Sequence, residues 1–132
     1  MSWDISMCKF SQDYASIEDM PQDGQCLSMG EASEIRDRIS QIFIGTDWSE
    51  PQWGKFDCPF GSIEFNMGSD AEVLDGFMMH VRAGDELIAP IVELAIKNGW
   101  QALDCSSCDF LEKLEHPAEG LRQWRAFRDL VI

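Results

Sequence analysis

The chain reads as an α+β domain with a mostly antiparallel sheet, two helices packed on one face and a third helix at the C-terminal end. Three observations predict this. Period-2 alternation of apolar and polar residues recurs in short runs, the mark of half-buried strands. Two longer runs carry apolar residues at helical spacing. The order of the runs is strand, helix, two or three strands, helix, strand, helix, which segregates helices to one side of a sheet. The length of 132 residues suits one domain, 1–132. A chain of that size buries roughly two thirds of its unfolded surface without metal or disulfide staples.

Residues 3–10 begin the pattern: Trp3, Ile5 and Met7 alternate with Asp4, Ser6 and Cys8. Residues 11–27 are acidic and turn-rich, and read as a loop with at most one short turn. Ser28-Met29-Gly30-Glu31 has capping-box spacing, and Ile35, Ile39, Ile42 and Phe43 give the first helix its stripe, ending near Gly45. Residues 46–61 hold Trp48, Pro51, Trp53 and Gly54 and read as an ordered loop, because indoles are rarely left bare in water. Ser62–Met67 and Phe77–Arg82 read as strands of a long hairpin, with Ile63, Phe65, Phe77, Met79 and Val81 on one face. Asp85 to Asn98 reads as a second helix with Leu87, Ile88, Ile91, Val92, Ala95 and Ile96 inward. Pro90 must lie in its first turn or bend the helix, since it lacks an N–H. Asn98-Gly99 is its stop. Trp100–Asp104 is a last strand. Pro117 precedes a third helix with Leu121, Trp124, Phe127 or Arg128, and Val131 on one side.

The charge balance bears on function. Twenty-four acids face ten bases, a formal net charge of −14. That field repels phosphate backbones and anionic membranes, so neither nucleic acid nor membrane is an expected partner. A basic protein partner fits, as does plain solubility. Residues 1–112 carry 21 of the acids and 6 of the bases, so the field belongs to the body and not to the tail. No run approaches the roughly 20 apolar residues of a membrane span, and the start of the chain has neither a basic n-region nor an apolar h-region. Five cysteines, Cys8, Cys26, Cys58, Cys105 and Cys108, are odd in number and irregular in spacing, unlike a secreted disulfide framework. These features together point to the cytoplasm. The oligomeric state is not legible.

No catalytic motif stands out, and no cofactor or metal is expected. Cys105-Ser106-Ser107-Cys108 has the spacing of a redox dithiol or half a zinc site, but Asp104 and Asp109 flank it and oppose a thiolate, and a zinc site needs two further ligands. A polar turn is the preferred reading. His116 lies in a loop before Pro117. Glu64 and Asp104 offer two carboxylates, with nothing to fix their distance. The more suggestive set is Glu64, Asn66, His80 and Arg82, which alternation puts on the polar side of two strands. If those strands pair, the four form one cluster. Such a cluster is either a solvated face with cross-strand ion pairs or a binding surface. With Trp48, Trp53 and Asp104 these are the candidate binding residues.

Several runs resemble a family of small, mostly uncharacterised bacterial proteins. The likeness is carried by Thr46-Asp47-Trp48, Trp53-Gly54, Gly61-Ser62-Ile63-Glu64-Phe65-Asn66, Met79-His80-Val81-Arg82 and Gly99-Trp100-Gln101-Ala102-Leu103-Asp104. The runs Trp3-Asp4-Ile5 and Trp124-Arg125-Ala126-Phe127-Arg128-Asp129 extend it over nearly the whole chain. In size, acidity and layout this family is similar to immunity proteins that neutralise bacterial toxins. The resemblance implies an inhibitor that sequesters a basic toxin domain, and it brings no catalytic residue with it. The alternative is a small-ligand-binding protein or minor enzyme using Glu64, His80 and Arg82. A third reading is a structural subunit whose C-terminal arginines dock on the acidic body of a copy.

Overall fold

The computed structural model describes residues 2–21, 26–68, 72–114, 117, 121–123 and 125–126. Its centre is a five-stranded sheet in the order β3-β4-β6-β1-β7, formed by β1 (Trp3–Cys8), β3 (Trp53–Cys58), β4 (Gly61–Asn66), β6 (Gly76–Ala83) and β7 (Gln101–Asp104). Every neighbouring pair is antiparallel. A two-stranded ribbon joins β2 (Gly30–Glu31) to β5 (Val73–Leu74). The helices are α1 (Ala32–Ile42) and α2 (Ile88–Asn98). Residues 121–123 and 125–126 are helical as well, so the α+β class and the short C-terminal helix hold.

One apolar layer lies between the sheet and the helices. Trp3, Ile5 and Met7 of β1, Ile63 and Phe65 of β4, and Phe77, Met79 and Val81 of β6 share a face, because successive strand residues alternate sides. Against it pack Ile35 and Ile39 of α1, one helical turn apart, and Ile91, Leu94 and Ala95 of α2. Pro90 is the third residue of α2, within its first turn, and Gly99 ends the helix at φ 69°, a left-handed conformation that suits a residue without Cβ. Strands β6 and β7 both pair with β1, so they run parallel to each other with β1 between them, and α2 makes the crossover.

Four local readings are corrected by the structure. The segment 46–61 is not all loop: Trp53–Cys58 is edge strand β3, hydrogen-bonded to β4 through the tight connection at Pro59 and Phe60. Its interrupted apolar pattern, with Gly54 and Lys55 inside it, hid the alternation. The capping box at Ser28–Glu31 does not cap, since α1 starts at Ala32 and its cap residue is Glu31. Gly30 and Glu31 pair instead with β5. The 67–77 connection is no simple hairpin loop, because it contains β5. The second helix opens with a 3-10 turn at Asp85–Leu87 before α2.

The start of the C-terminal helix docks at the junction between β6 and α2. Leu121 is buried in the core, and Arg125 donates to Asp85 Oδ1 (2.9 Å) and to the Ala83 carbonyl (3.0 Å). Trp124, Phe127, Arg128, Val131 and His116 lie outside the described residues.

Candidate functional site

The register of the sheet assembles the site on the face away from the helices. Lys55 is opposite Glu64, Glu64 opposite His80, and His80 opposite Asp4. One row of ionisable side chains therefore crosses four strands, β3, β4, β6 and β1. Trp53, Asn66, Met78 and Ser6 form the next row on the same face, and Asp57, Ser62 and Arg82 the row on the other side.

The side chains of these rows are bonded to one another. Glu64 accepts the Trp53 indole N–H at Oε2 (2.7 Å) and the Arg82 guanidinium at Oε1 (2.8 Å). Asp4 Oδ1 lies 2.8 Å from His80 Nδ1 and also accepts the Ser2 hydroxyl (2.6 Å). An ionised carboxylate can only accept, so Nδ1 carries the proton in this pair. The Trp53 ring stacks on the imidazole, centroids 5.6 Å apart and planes 24° from parallel. The result is a continuous chain, Arg82–Glu64–Trp53–His80–Asp4. It holds the indole and the imidazole rigid without burying them.

The face is half-covered by its own side chains. His80 is 20% exposed and Arg82 45%, and Lys55 and Asp57 are exposed. Among the described residues, no segment packs over β3, β4 and β6 on this side. Over β7 the same side is closed. The Gln101 carboxamide accepts the Tyr14 N–H (2.9 Å) and donates to the Tyr14 carbonyl (2.8 Å), standing in for a strand neighbour. Phe10 stacks edge-on against Tyr14 and Phe110 there. The concavity on the open part is shallow, about 200 Å³, between Ser6, Asn66, Gly76 and Met78.

The seven candidates separate into two groups. Glu64, His80, Arg82 and Trp53 are brought together, and Asn66 borders them, its side chain turned to accept the Gly68 N–H (2.9 Å). Trp48 and Asp104 are not brought in. Trp48 packs on the helix side, 6.1 Å from the Phe65 ring, and donates its indole N–H to Ser40 of α1 (2.9 Å). Asp104 is opposite Ile5 and fully buried, so it lies on the core face. Its Oδ1 accepts the Ser106 N–H (2.9 Å) and hydroxyl (2.7 Å) and shapes the turn that carries Cys105 and Cys108. Sequence reasoning missed Asp4 and Lys55. Alternation placed Asp4 on the polar side of its strand, but only the pairing of β1 with β6 sets it against His80.

Cys105 and Cys108 of the Cys-x-x-Cys turn are exposed residues, though the Cys105 sulfur itself is partly shielded from water. The Cys105 thiol is pushed up, first by burial of its sulfur and then by the charges of Asp4 and Asp104. Cys8 is pushed up to about 12, mainly by burial. Asp47, beside β3, is held low by the Ser49 hydroxyl and N–H. Among the described residues no three His, Cys, Asp or Glu side chains converge as a metal site, and no helix is long and apolar enough to cross a membrane. Among the described residues, the fold and the face define an α+β domain with a half-covered, polar, aromatic-centred sheet surface. No family model matches the chain, and neither a curated protein nor a solved structure matches it.

Proposed function

We propose that the protein is a cytoplasmic binding protein of the immunity type, whose open sheet face docks on a basic toxin domain and inhibits it. The observation that carries the reading is the bonded row Arg82–Glu64–Trp53–His80–Asp4 on a broad face. Tryptophan and arginine held in place before binding are the chemistry of interface hot spots, because little side-chain entropy is left to lose. The face itself is close to charge-balanced, with Lys55 and Arg82 beside Asp4, Asp57 and Glu64. The excess acid lies elsewhere on the body, for example at Glu18, Glu34, Glu50 and Glu72, all exposed. In this arrangement the body steers a basic partner and the face supplies the fit. Shallow relief favours a protein over a small molecule, since small ligands select clefts that bury most of their surface. The five free thiols suit a reducing compartment.

The test is co-expression with a toxin domain encoded beside this chain. Rescue of growth and a salt-sensitive complex are expected, with affinity lowered at least tenfold by Trp53→Ala and by Arg82→Ala. A complex that forms equally well with both variants would move the interface off this face. Failure to rescue or bind any such toxin would end the immunity reading.

A further inference from the structure

The cysteines show a relationship that the proposed docking face does not use. The segment after the acidic loop runs back along the end of β1, where Lys9 and Leu27 form an antiparallel bridge closed by the Leu27 N–H to the Lys9 carbonyl at 2.6 Å. Cys8 and Cys26 each precede one partner of this antiparallel bridge, so they stand diagonally across it on one side of the ribbon. Cys26 is among the groups that act on the Cys8 thiol, and the Cys8 sulfur meets the Ser6 hydroxyl at 3.7 Å. Opposite Cys8 in β6 stands Gly76, and a Cβ there would come within 3.2 Å of the Cys8 sulfur. The missing side chain leaves that sulfur the space in which it sits. Both residues are half-buried, so small oxidants can reach them.

We infer that Cys8 and Cys26 are an oxidisable pair that closes into an intramolecular disulfide, tying the acidic segment between them to the end of β1. The co-reactant is a peroxide. It oxidises one thiol to a sulfenic acid and leaves as water. The second sulfur then attacks the sulfenic sulfur, the S–O bond breaks, and a second water departs with the thiol proton. Two thiols lose two electrons and one peroxide gains them. The acidic segment carries Asp13, Glu18, Asp19 and Asp23. In the reduced protein the described residues of that segment are held by the Lys9–Leu27 bridge and by the Gln101 clamp on Tyr14. The disulfide adds a covalent closure, which restricts the unfolded chain and the segment alike.

Because thiolate is the reacting species and burial holds the Cys8 proton on, closure is slow at neutral pH and quickens as the medium becomes alkaline. The inference stands whether or not the sheet face binds a toxin.

The experiment treats the reduced, full-length protein with hydrogen peroxide, blocks remaining thiols with N-ethylmaleimide, and maps digested peptides without reduction. A peptide pair joined through Cys8 and Cys26 is expected. It should be lost in Cys26→Ser, kept in Cys105→Ser and reversed by dithiothreitol, and the oxidised protein should resist proteolysis between residues 9 and 25. Cys26→Ser changes no strand of the sheet, so its mapping does not depend on a variant of β1. A linkage confined to Cys105 and Cys108, links only between chains, or sulfinic acid at Cys8 and Cys26 without a joined peptide would each overturn the inference.

Discussion

The indole of Trp53 on β3 lies over the imidazole of His80 on β6, and its N–H reaches across to Glu64 on the strand between them. One side chain on an edge strand thus spans the two inner strands beside it. It fixes the carboxylate that Arg82 also needs.

Replacing Trp53 by Ala removes both contacts together. The ring is half-buried, so the loss should fall below that of a fully buried tryptophan, at about 1.5–3 kcal/mol by urea denaturation. Trp53→Phe keeps a ring over His80 and gives up only the hydrogen bond, costing about 1 kcal/mol. Equal losses for the two variants would show that the stack contributes little.

Arg82 tests whether the row is structural or presented. In the pair with Glu64 the guanidinium is exposed and the carboxylate half-buried, and Glu64 keeps its bond from Trp53 when the guanidinium is removed. Arg82→Ala should therefore change stability by less than about 1 kcal/mol. A loss of several kcal/mol would mean that Glu64 is stranded, and would remove the pair from the binding surface.

Gly54 is required by Trp48. A Cβ at position 54 would stand 2.6 Å from the Trp48 ring, and the ring is held from behind by Ser40. Gly54→Ala should destabilise the fold by about 1–3 kcal/mol through overpacking. Adding Trp48→Leu should recover part of that loss, which a double-mutant cycle would read as non-additivity.

Asp104 tests the turn. Its buried Oδ1 receives the Ser106 N–H and hydroxyl. Asp104→Ala removes the acceptor, but Ser106 is exposed and water can take its N–H and hydroxyl, so the cost should be about 0.5–1.5 kcal/mol, whereas Asp104→Asn keeps an acceptor and should cost less. Thermal melts of the two variants side by side distinguish them. Neither should alter affinity per folded molecule, because this residue faces the core.

The Cys8 thiol predicts a pH effect of definite sign. Its pKa rises on folding from 9.0 to about 12. Above pH 9 the unfolded chain gives up this proton while the folded chain retains it. The contribution is then fully present below pH 9 and is lost as the pH climbs toward about 12. Denaturant midpoints should fall across that window, and less steeply in Cys8→Ala. Parallel curves for the two proteins would contradict the assignment.

The strands with clean alternation, the two helical stripes and the stop at Asn98-Gly99 were legible because each is a local rule. Strand β3 was not, because Gly54 takes an inward position only to make room for Trp48, which approaches from a loop six residues earlier. The pairing of Gly30 and Glu31 with β5 was hidden for a similar reason. Two residues show no period, and their strand partners, Leu74 and Val73, lie more than forty positions away.

Of the candidate site, the residue types and their side of the strand were in the sequence, as Glu64, His80 and Arg82 show. The length, the alternation, the two helical stripes and their order determined by themselves that this chain makes an α+β domain with one apolar and one polar sheet face. Only the tertiary structure decided that Asp4 meets His80, that Trp53 joins the row while Trp48 does not, and that Asp104 turns inward. The side a residue points to follows from the period of its own strand. Its neighbours on that side follow from strand order and register, which long-range pairing fixes.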